Sequence, residues 1–345
     1  SKVGHARFNV PVKPVNEFSD NPFMKRDLDK CIDCRKCANV CDDIRKIGAI
    51  ENAPGIEWNA VDMSLRSGKR VDPTSCESCG TCLDVCPVNA IFPKNKERAP
   101  DAEVCTTCPY CGCGCGIKVG TKYNHMVSFA GVPDHPASHG QLCVKGRFAL
   151  KGFAESGDRL TTPLIRKDGE LVPASWDEAL SLVSKKFTAI KKEHGAGAFA
   201  GFSSARITNE ENYVFMKFMR ACIGTNNVDH CARLCHASTV AGLATSFGSG
   251  AMTNSIDELE FANVILITGS NTTETHPIIA LKVKKAVREH GAKVIICDPR
   301  KITLTHYATV HISQRSGTDV MLFNAMMQVI IKDGLHDEAF VKEKC

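Results

Sequence analysis

From Ser175 to the end, apolar and polar residues follow two rhythms. In "SWDEALSLVSKKFTAIKKEHG", Trp176, Ala179, Leu180, Val183, Phe187 and Ile190 fall at helical spacing. Ser175 and Glu178 stand at capping-box spacing, and Gly195 supplies a stop. "TNEENYVFMKFMRACIG" repeats the arrangement, with Thr208 and Glu211 at box spacing and Gly224 at its end. "HPIIALKVKKAVREHG" and "TDVMLFNAMMQVIIKDG" read as two further helices. Between them lie strand patterns: a short one in "GAFAGFS", and the unbroken apolar runs "NVILITG" and "AKVIICD". Unbroken runs predict strands covered on both faces. Strands alternating with helices predict an α/β fold, a doubly wound parallel sheet. Ligands of such sheets sit beyond the carboxyl ends of the strands, here "TGSNTTETHP" and "CDPRK".

The first 150 residues lack these rhythms, and cysteine takes over. The chain has 345 residues, room for two or three domains, and 19 cysteines, of which 14 lie between Cys31 and Cys143. An odd count in a chain long enough to build its own core argues against a disulfide scaffold; tight clusters at fixed spacing mean metal. Residues 1–98 hold two cysteine runs, expected as a small α+β iron–sulfur domain. The charged, Pro-flanked "PKNKERAPDAE" reads as a linker. Residues 99–155 form a second cysteine-rich unit, and 156–345 the α/β region. A net charge of +5 without a Lys/Arg block of five argues against a nucleic-acid partner. The longest apolar runs fall far below the ~20 residues of a membrane helix. With no export signal visible, the expected location is cytoplasmic. Ser1 in place of Met suggests processing or excision from a longer protein.

Cys31, Cys34, Cys37 and Cys41 have the spacing C-x2-C-x2-C-x3-C; Cys76, Cys79, Cys82 and Cys86 repeat it, followed by Pro87. This is the bacterial ferredoxin run, in which three cysteines bind one 4Fe-4S cluster and the fourth reaches the other. Cys31, Cys34, Cys37 and Cys86 are therefore assigned to one cluster, and Cys76, Cys79, Cys82 and Cys41 to the second. Asp42 replaces the proline after the first run without touching the ligand. Zinc is the alternative, but it favours C-x2-C pairs. Next, "CTTCPYCGCGCG" offers Cys105, Cys108, Cys111, Cys113 and Cys115, and "GQLCVKG" adds Cys143. Spacing alone allows either a Cys105–Cys108–Cys111 triplet or the set Cys108, Cys111, Cys115 and Cys143.

"CPYCGCGC", "LCVKG", "ARLCHASTV" and "CDPRK" follow one another as in molybdenum or tungsten bis-molybdopterin guanine dinucleotide enzymes. From about residue 105 to the end the chain resembles the catalytic subunit of formate dehydrogenases. The two-cluster segment resembles the extension on cytoplasmic formate dehydrogenases and on the large iron–sulfur subunit of NADH dehydrogenases. The resemblance implies a third 4Fe-4S cluster on Cys108, Cys111, Cys115 and Cys143, with Cys105 and Cys113 as spectators. It implies Lys145 between cluster and pterin, and Cys235 as the metal's one protein ligand. A thiolate is a soft donor suited to such a metal, and coordination deprotonates it. His236 matches the histidine of formate dehydrogenases; related nitrate reductases typically carry methionine there. Gly269, Ser270, Asn271, Glu274, His276, Asp298 and Arg300 are the implied dinucleotide contacts, with Gly317, Thr318 and Asp319 weaker candidates. Asp319 also suits an ordinary helix cap. Cys231 has no family role, and Cys222 and Cys297, flanked by apolar residues, read as core thiols.

The implied activity is reversible two-electron oxidation of formate to CO2. Electrons then pass Lys145 and three clusters to a partner such as a hydrogenase or a flavin NAD(P) reductase subunit. The competitors are a cytoplasmic nitrate reductase and a non-catalytic electron-wiring subunit of an NADH dehydrogenase-like complex. The family's catalytic subunits are much longer and carry a substrate-orienting arginine downstream of the matching region. The missing C-terminal part is therefore expected as a separate chain, or the sequence as a fragment.

Overall fold

The computed structural model describes residues 21–27, 30–32, 34–50, 76–95 and 99–344. Residues 51–75 between the cysteine runs, residues 96–98 of the expected linker and Cys345 lie outside the described residues.

In the N-terminal third, strand β1 (Met24–Arg26) precedes helix α1 (Lys36–Asn39), which continues as a π-helical turn over Val40–Ile44. Helix α2 (Thr81–Asp84) and strand β2 (Ile91–Pro93) follow. β2 pairs antiparallel with β1, Met24 opposite Pro93, so one ribbon closes both cysteine runs. Strands β3 (Ala102–Thr107), β4 (Gly116–Lys122) and β5 (His125–Gly131) form an antiparallel sheet with β4 central. Tyr123 and Asn124, at φ 49 and 62, make the two-residue turn that suits the twist of the β4–β5 hairpin. Lys145–Ala149 is a second π-helical turn.

The middle third runs α3 (Leu150–Ala154), hairpin β6 (Leu164–Lys167) and β7 (Glu170–Pro173), then α4 (Trp176–His194). Strand β8 (Gly201–Ser203), helix α5 (Asn209–Lys217) with its π-helical continuation Phe218–Ile223, and strand β9 (Val228–His230) come next. β8 and β9 pair in parallel. Helices α6 (Ala232–Cys235) and α7 (Ala237–Phe247) end the segment. The final third runs β10 (Val264–Thr268), α8 (Thr272–Thr275), α9 (Pro277–His290), β11 (Lys293–Cys297), β12 (Val310–Ile312), α10 (Asp319–Lys332) and α11 (Glu338–Lys344). β10, β11 and β12 form a parallel sheet in that order. Leu150–Thr253 is one compact unit; Ser1–Ala149 and Asn254–Cys345 together form the other.

Local signals explain these helix ends. Ser175 Oγ accepts from the Glu178 amide at 3.2 Å, but the Glu178 carboxylate pairs with Lys167 at 2.9 Å, so only half of that box closes. At α5 both halves close: Thr208 Oγ1 accepts from the Glu211 amide, and Glu211 accepts from the Thr208 amide at 2.8 Å. Gly224 and Gly291, at φ 86 and 69, supply the left-handed stops.

The core of the larger unit packs Ile265 and Ile267 of β10, Val294 and Ile296 of β11, and Ala280, Val283 and Ala286 of α9, with Ile302 and Leu304. Two expectations, a β10 covered on both faces and a core thiol at Cys222, are corrected. β11 is covered on both faces, but β10 buries Ile265 and Ile267 only, leaving Val264 and Leu266 exposed at the edge of the described sheet. In α4 no residue is buried: Phe187 packs edge-on against Phe199, whereas Trp176, Leu180 and Val183 are exposed. Helical spacing says which residues share a face, not whether anything covers it. Cys222 is exposed, while Cys297 is a core thiol as expected.

Candidate cofactor site

The two N-terminal cysteine runs fold as short turns that bring distant sulfurs together. Burial pushes the Cys37 thiol up, and the like charge of Cys31, Cys86 and Cys34 pushes it further. Cys82 is pushed up by burial and then by Cys79, Cys37, Cys76 and Cys41. The fourth cysteine of each run thus lies with the triplet of the other: Cys86 beside Cys31, Cys34 and Cys37, and Cys41 beside Cys76 and Cys79. Cys41, Cys76, Cys79 and Cys82 line one pocket, together with Arg45, Glu77 and Thr81. Donors already face its sulfurs. Asn21 Nδ2 and the Ser78 amide lie 3.7 and 3.4 Å from Cys76 Sγ, and Thr81 Oγ1 is 3.3 Å from Cys79 Sγ. At the other set, the Ala90 amide donates to Cys86 Sγ at 3.2 Å. The left-handed Gly80 stands between Cys79 and Cys82; a Cβ there would meet the Arg147 side chain at 2.2 Å.

A second pocket is lined by Cys108, Cys111, Cys115, Cys143 and Lys145, with Pro277 and Ile278 at the start of α9. Cys105 is exposed on β3, and Cys113, though buried, is absent from the lining. Burial and the like charges of Cys108, Cys111 and Cys143 push Cys115 up to about 12. The Cys113 thiol, donating to Cys111, pulls Cys111 down to about 5, helped by the charges of His276 and Lys145. Gly146 leaves room beside Cys108, whose Sγ would lie 3.6 Å from a Cβ added there. Among the described residues, no three His, Cys, Asp or Glu side chains are placed to hold a single ion. Four thiols spaced around a pocket suit the four corners of a cube.

Lys145 joins this pocket to the strand ends. Its Nζ donates to the Glu274 carbonyl at 2.8 Å. Glu274 lies in α8, directly after the Gly269–Ser270–Asn271 loop that leaves β10. Gly269, at φ 57, leaves open space where a side chain would stand, and its amide donates to the Cys297 carbonyl at 3.3 Å. His276 caps α9, and its ring faces Gly112, 3.6 Å from a Cβ added there. Beyond β11, Asp298 is buried and accepts from the Arg300 amide at 2.8 Å; Arg300 itself is largely exposed. Gly317, at φ 82, and Thr318 lead into α10, where Asp319 accepts from Gln314 Nε2 at 3.0 Å. Asp319 also raises the Cys297 thiol, after burial, so both strand ends share this neighbourhood. Small, open and polar strand ends suit a pyrophosphate and ribose edge.

The chain matches the molybdopterin oxidoreductase model over residues 159–341, the molybdopterin oxidoreductase Fe4S4 domain over 101–153, and the 4Fe-4S dicluster domain over 30–90. It belongs to the molybdopterin oxidoreductase family. Molybdopterin and iron–sulfur clusters are accordingly its cofactor classes. It is 49% identical over 239 residues to the F420-dependent formate dehydrogenase 1 subunit alpha of Methanococcus maripaludis, covering 69% of this chain and 35% of that protein. It is 34% identical to a putative formate dehydrogenase of Staphylococcus aureus over 98% of this chain and 38% of that one. Acetylene hydratase from Pelobacter acetylenicus shares the fold, with a TM-score of 0.60 and 25% identity over 69% of this chain and 33% of that one. The chain thus spans little more than a third of the length of these relatives.

In the smaller unit, Cys235 ends α6 and His236 joins it to α7, with φ −146. Both are exposed. The first amides of an eleven-residue helix follow them directly, a favourable place for a negative ligand. Cys231 has a backbone role: its Sγ accepts from the Ala205 amide at 3.3 Å. Among the described residues no helix is long and apolar enough to cross a membrane.

Residue-level reading missed the charged groups around the pockets. Arg45 and Arg147 each follow a cysteine by four residues, Cys41 and Cys143. That interval puts both side chains of a helical turn on one side and is the signal available in the sequence.

Proposed function

We propose that the chain is the cluster-bearing part of a cytoplasmic formate dehydrogenase catalytic subunit. The observation that carries this reading is Lys145, which lines the Cys108–Cys143 pocket and binds the Glu274 carbonyl of the strand-end loop. One side chain therefore spans the place for a cluster and the place for a pterin. Formate as substrate is supported by the Cys235–His236 pair and by relatives named formate dehydrogenase. Formate becomes CO2 by giving up two electrons and one proton. A bis-molybdopterin guanine dinucleotide centre with molybdenum or tungsten, when bound, supplies the two-electron acceptor. Cys235 is the soft thiolate toward that metal. His236 takes the proton or orients the carboxylate. Gly269, Ser270, Asn271, Glu274, His276, Asp298, Arg300, Gly317 and Asp319 hold the dinucleotides. The three four-cysteine sets lead electrons toward a redox partner subunit of the hydrogenase or flavin-reductase kind.

The test is C235S in the anaerobically purified holoenzyme. Formate-dependent dye reduction is abolished while the iron–sulfur spectra persist; activity retained in C235S overturns the assignment. Metal analysis of the wild type gives about 12 irons, four per cluster, with molybdenum or tungsten. Iron without either metal would instead mark an electron-wiring subunit.

A further inference from the structure

Arg45 is 1% exposed and lines the same pocket as Cys41, Cys76, Cys79 and Cys82. It leaves the π-helical turn that carries Cys41, four residues on. Its Nη2 donates to Glu77 Oε2 at 3.2 Å. Its Nε and Nη1 are buried with no hydrogen-bond partner among the described residues. Leaving one buried donor unsatisfied costs about 1–3 kcal/mol, more on a charged group. The charge is only partly compensated. Glu77 is shared, its second oxygen being taken by the buried Lys284. Two cations therefore face one carboxylate, and a net positive charge remains at the pocket wall. Burial opposes that charge, while the Cys79 thiol, Glu77 and then Cys143 favour it.

We propose that Arg45 is a positioning residue for electron flow. It donates N–H···S hydrogen bonds to the iron–sulfur cluster held by Cys41, Cys76, Cys79 and Cys82, and raises that cluster's reduction potential. The inference rests on the cluster reading of these cysteines given above. A cluster ligated by four thiolates is net negative and gains one more negative charge on reduction. Fixed N–H donors and a buried cation stabilise the reduced form more than the oxidised one, since hydrogen bonds to sulfur and local charge set cluster potentials. A raised potential at this cluster favours an electron arriving there from the cluster nearest the pterin.

The experiment is an EPR-monitored redox titration of the anaerobically purified holoenzyme, with iron and sulfide assayed alongside. R45Q removes the charge and the fork of donors. One cluster then becomes harder to reduce by at least tenfold, a fall of about 59 mV for a one-electron couple, with iron content unchanged. R45K keeps the charge and loses the fork, and the same midpoint falls by less. Full iron content with all midpoints unchanged in R45Q overturns the proposal. Should R45Q fail to hold its iron, R45K decides: a lowered midpoint supports the proposal and an unchanged one overturns it. C76S identifies which signal belongs to this cluster by losing it. A wild type without the dicluster signals would sink the cluster reading itself, an outcome separate from any shift in midpoint.

Discussion

Glu260 carries its charge where water scarcely reaches, and two lysines answer it. Its oxygens pair with Lys282 and, at 2.6 Å, with Lys285. Lys282 also reaches Asp257 at 2.8 Å, and Asp257 accepts from His139 at 2.8 Å. His139 lies in the loop leading to Cys143, so this chain of charges ties a pocket cysteine to α9. Burial pushes the Glu260 carboxyl up, but the hydrogen bonds from Lys282 and Lys285 outweigh it and hold it below its ordinary 4.5. A carboxyl lowered in the folded state adds stability above its ordinary value and loses it as pH falls through the folded one. E260Q should therefore cost about 1–3 kcal/mol at pH 7. That is a Tm lowered by about 2–4 °C per kcal/mol. The gap in Tm between wild type and E260Q should hold above the ordinary 4.5 and narrow as pH falls below it; a gap independent of pH there contradicts the pairing. The cysteines were legible at this scale because ligand spacing is a local code. Glu260 was not, since its partners stand 22 and 25 residues away.

At the scale of elements, Arg147 is the clamp. From the π-helical turn after Cys143 its Nη1 donates to Asp84 Oδ1 at 2.8 Å and to the Phe129 carbonyl at 3.2 Å; Nη2 also reaches Asp84, and Nε donates to the Cys79 carbonyl at 3.1 Å. One side chain thereby pins α2, which carries Cys82, to β5 and to the turn behind the second pocket. Phe23 and Phe148 stack beside it, 5.1 Å between centroids. R147M keeps much of the volume but strands a carboxylate and two carbonyls, each worth about 1–3 kcal/mol when buried. D84N strands less, because Asn still accepts and the Asp84 side chain is 36% exposed. Chelator-driven iron release should be fastest in R147M, intermediate in D84N and slowest in wild type; equal rates for R147M and wild type would remove the clamp. Helix ends were legible beforehand because caps and glycine stops are local, as the closed box at Thr208 and the left-handed Gly224 show. The half-open box at Ser175 shows the limit. Glu178 had a better partner in Lys167, across a turn that no capping pattern encodes. Cys222 failed for a related reason: apolar neighbours in sequence do not fix which way a helix face turns.

Across the whole molecule, the parallel pairing of β10 with β11 follows from alternating strand and helix patterns, as the strand runs implied; β9, which pairs in parallel with β8, carries no such run. What covers the helices does not follow from them. Within the smaller unit, α4 shows Trp176 and Leu180 at 68% and 58% exposure; within the larger, α10 shows Val320 and Met321 at 72% and 73%. Single exposed apolar residues are ordinary. Helices of 19 and 14 residues with no buried side chain are not, because helical stability comes mostly from packing an apolar face. The matched formate dehydrogenases are considerably longer than this chain, which offers ample further chain to cover such faces. Hydrogen–deuterium exchange should therefore find the α4 and α10 amides poorly protected in the 345-residue chain. They should be well protected in a polypeptide of the relatives' full length, while β11 and α9 are protected in both. Dye binding to exposed apolar surface should follow the same order. Equal protection of α4 in the two lengths would mean that its apolar stripe is stable without a cover, and that the burial of Phe187 against Phe199 is enough to hold nineteen residues in place.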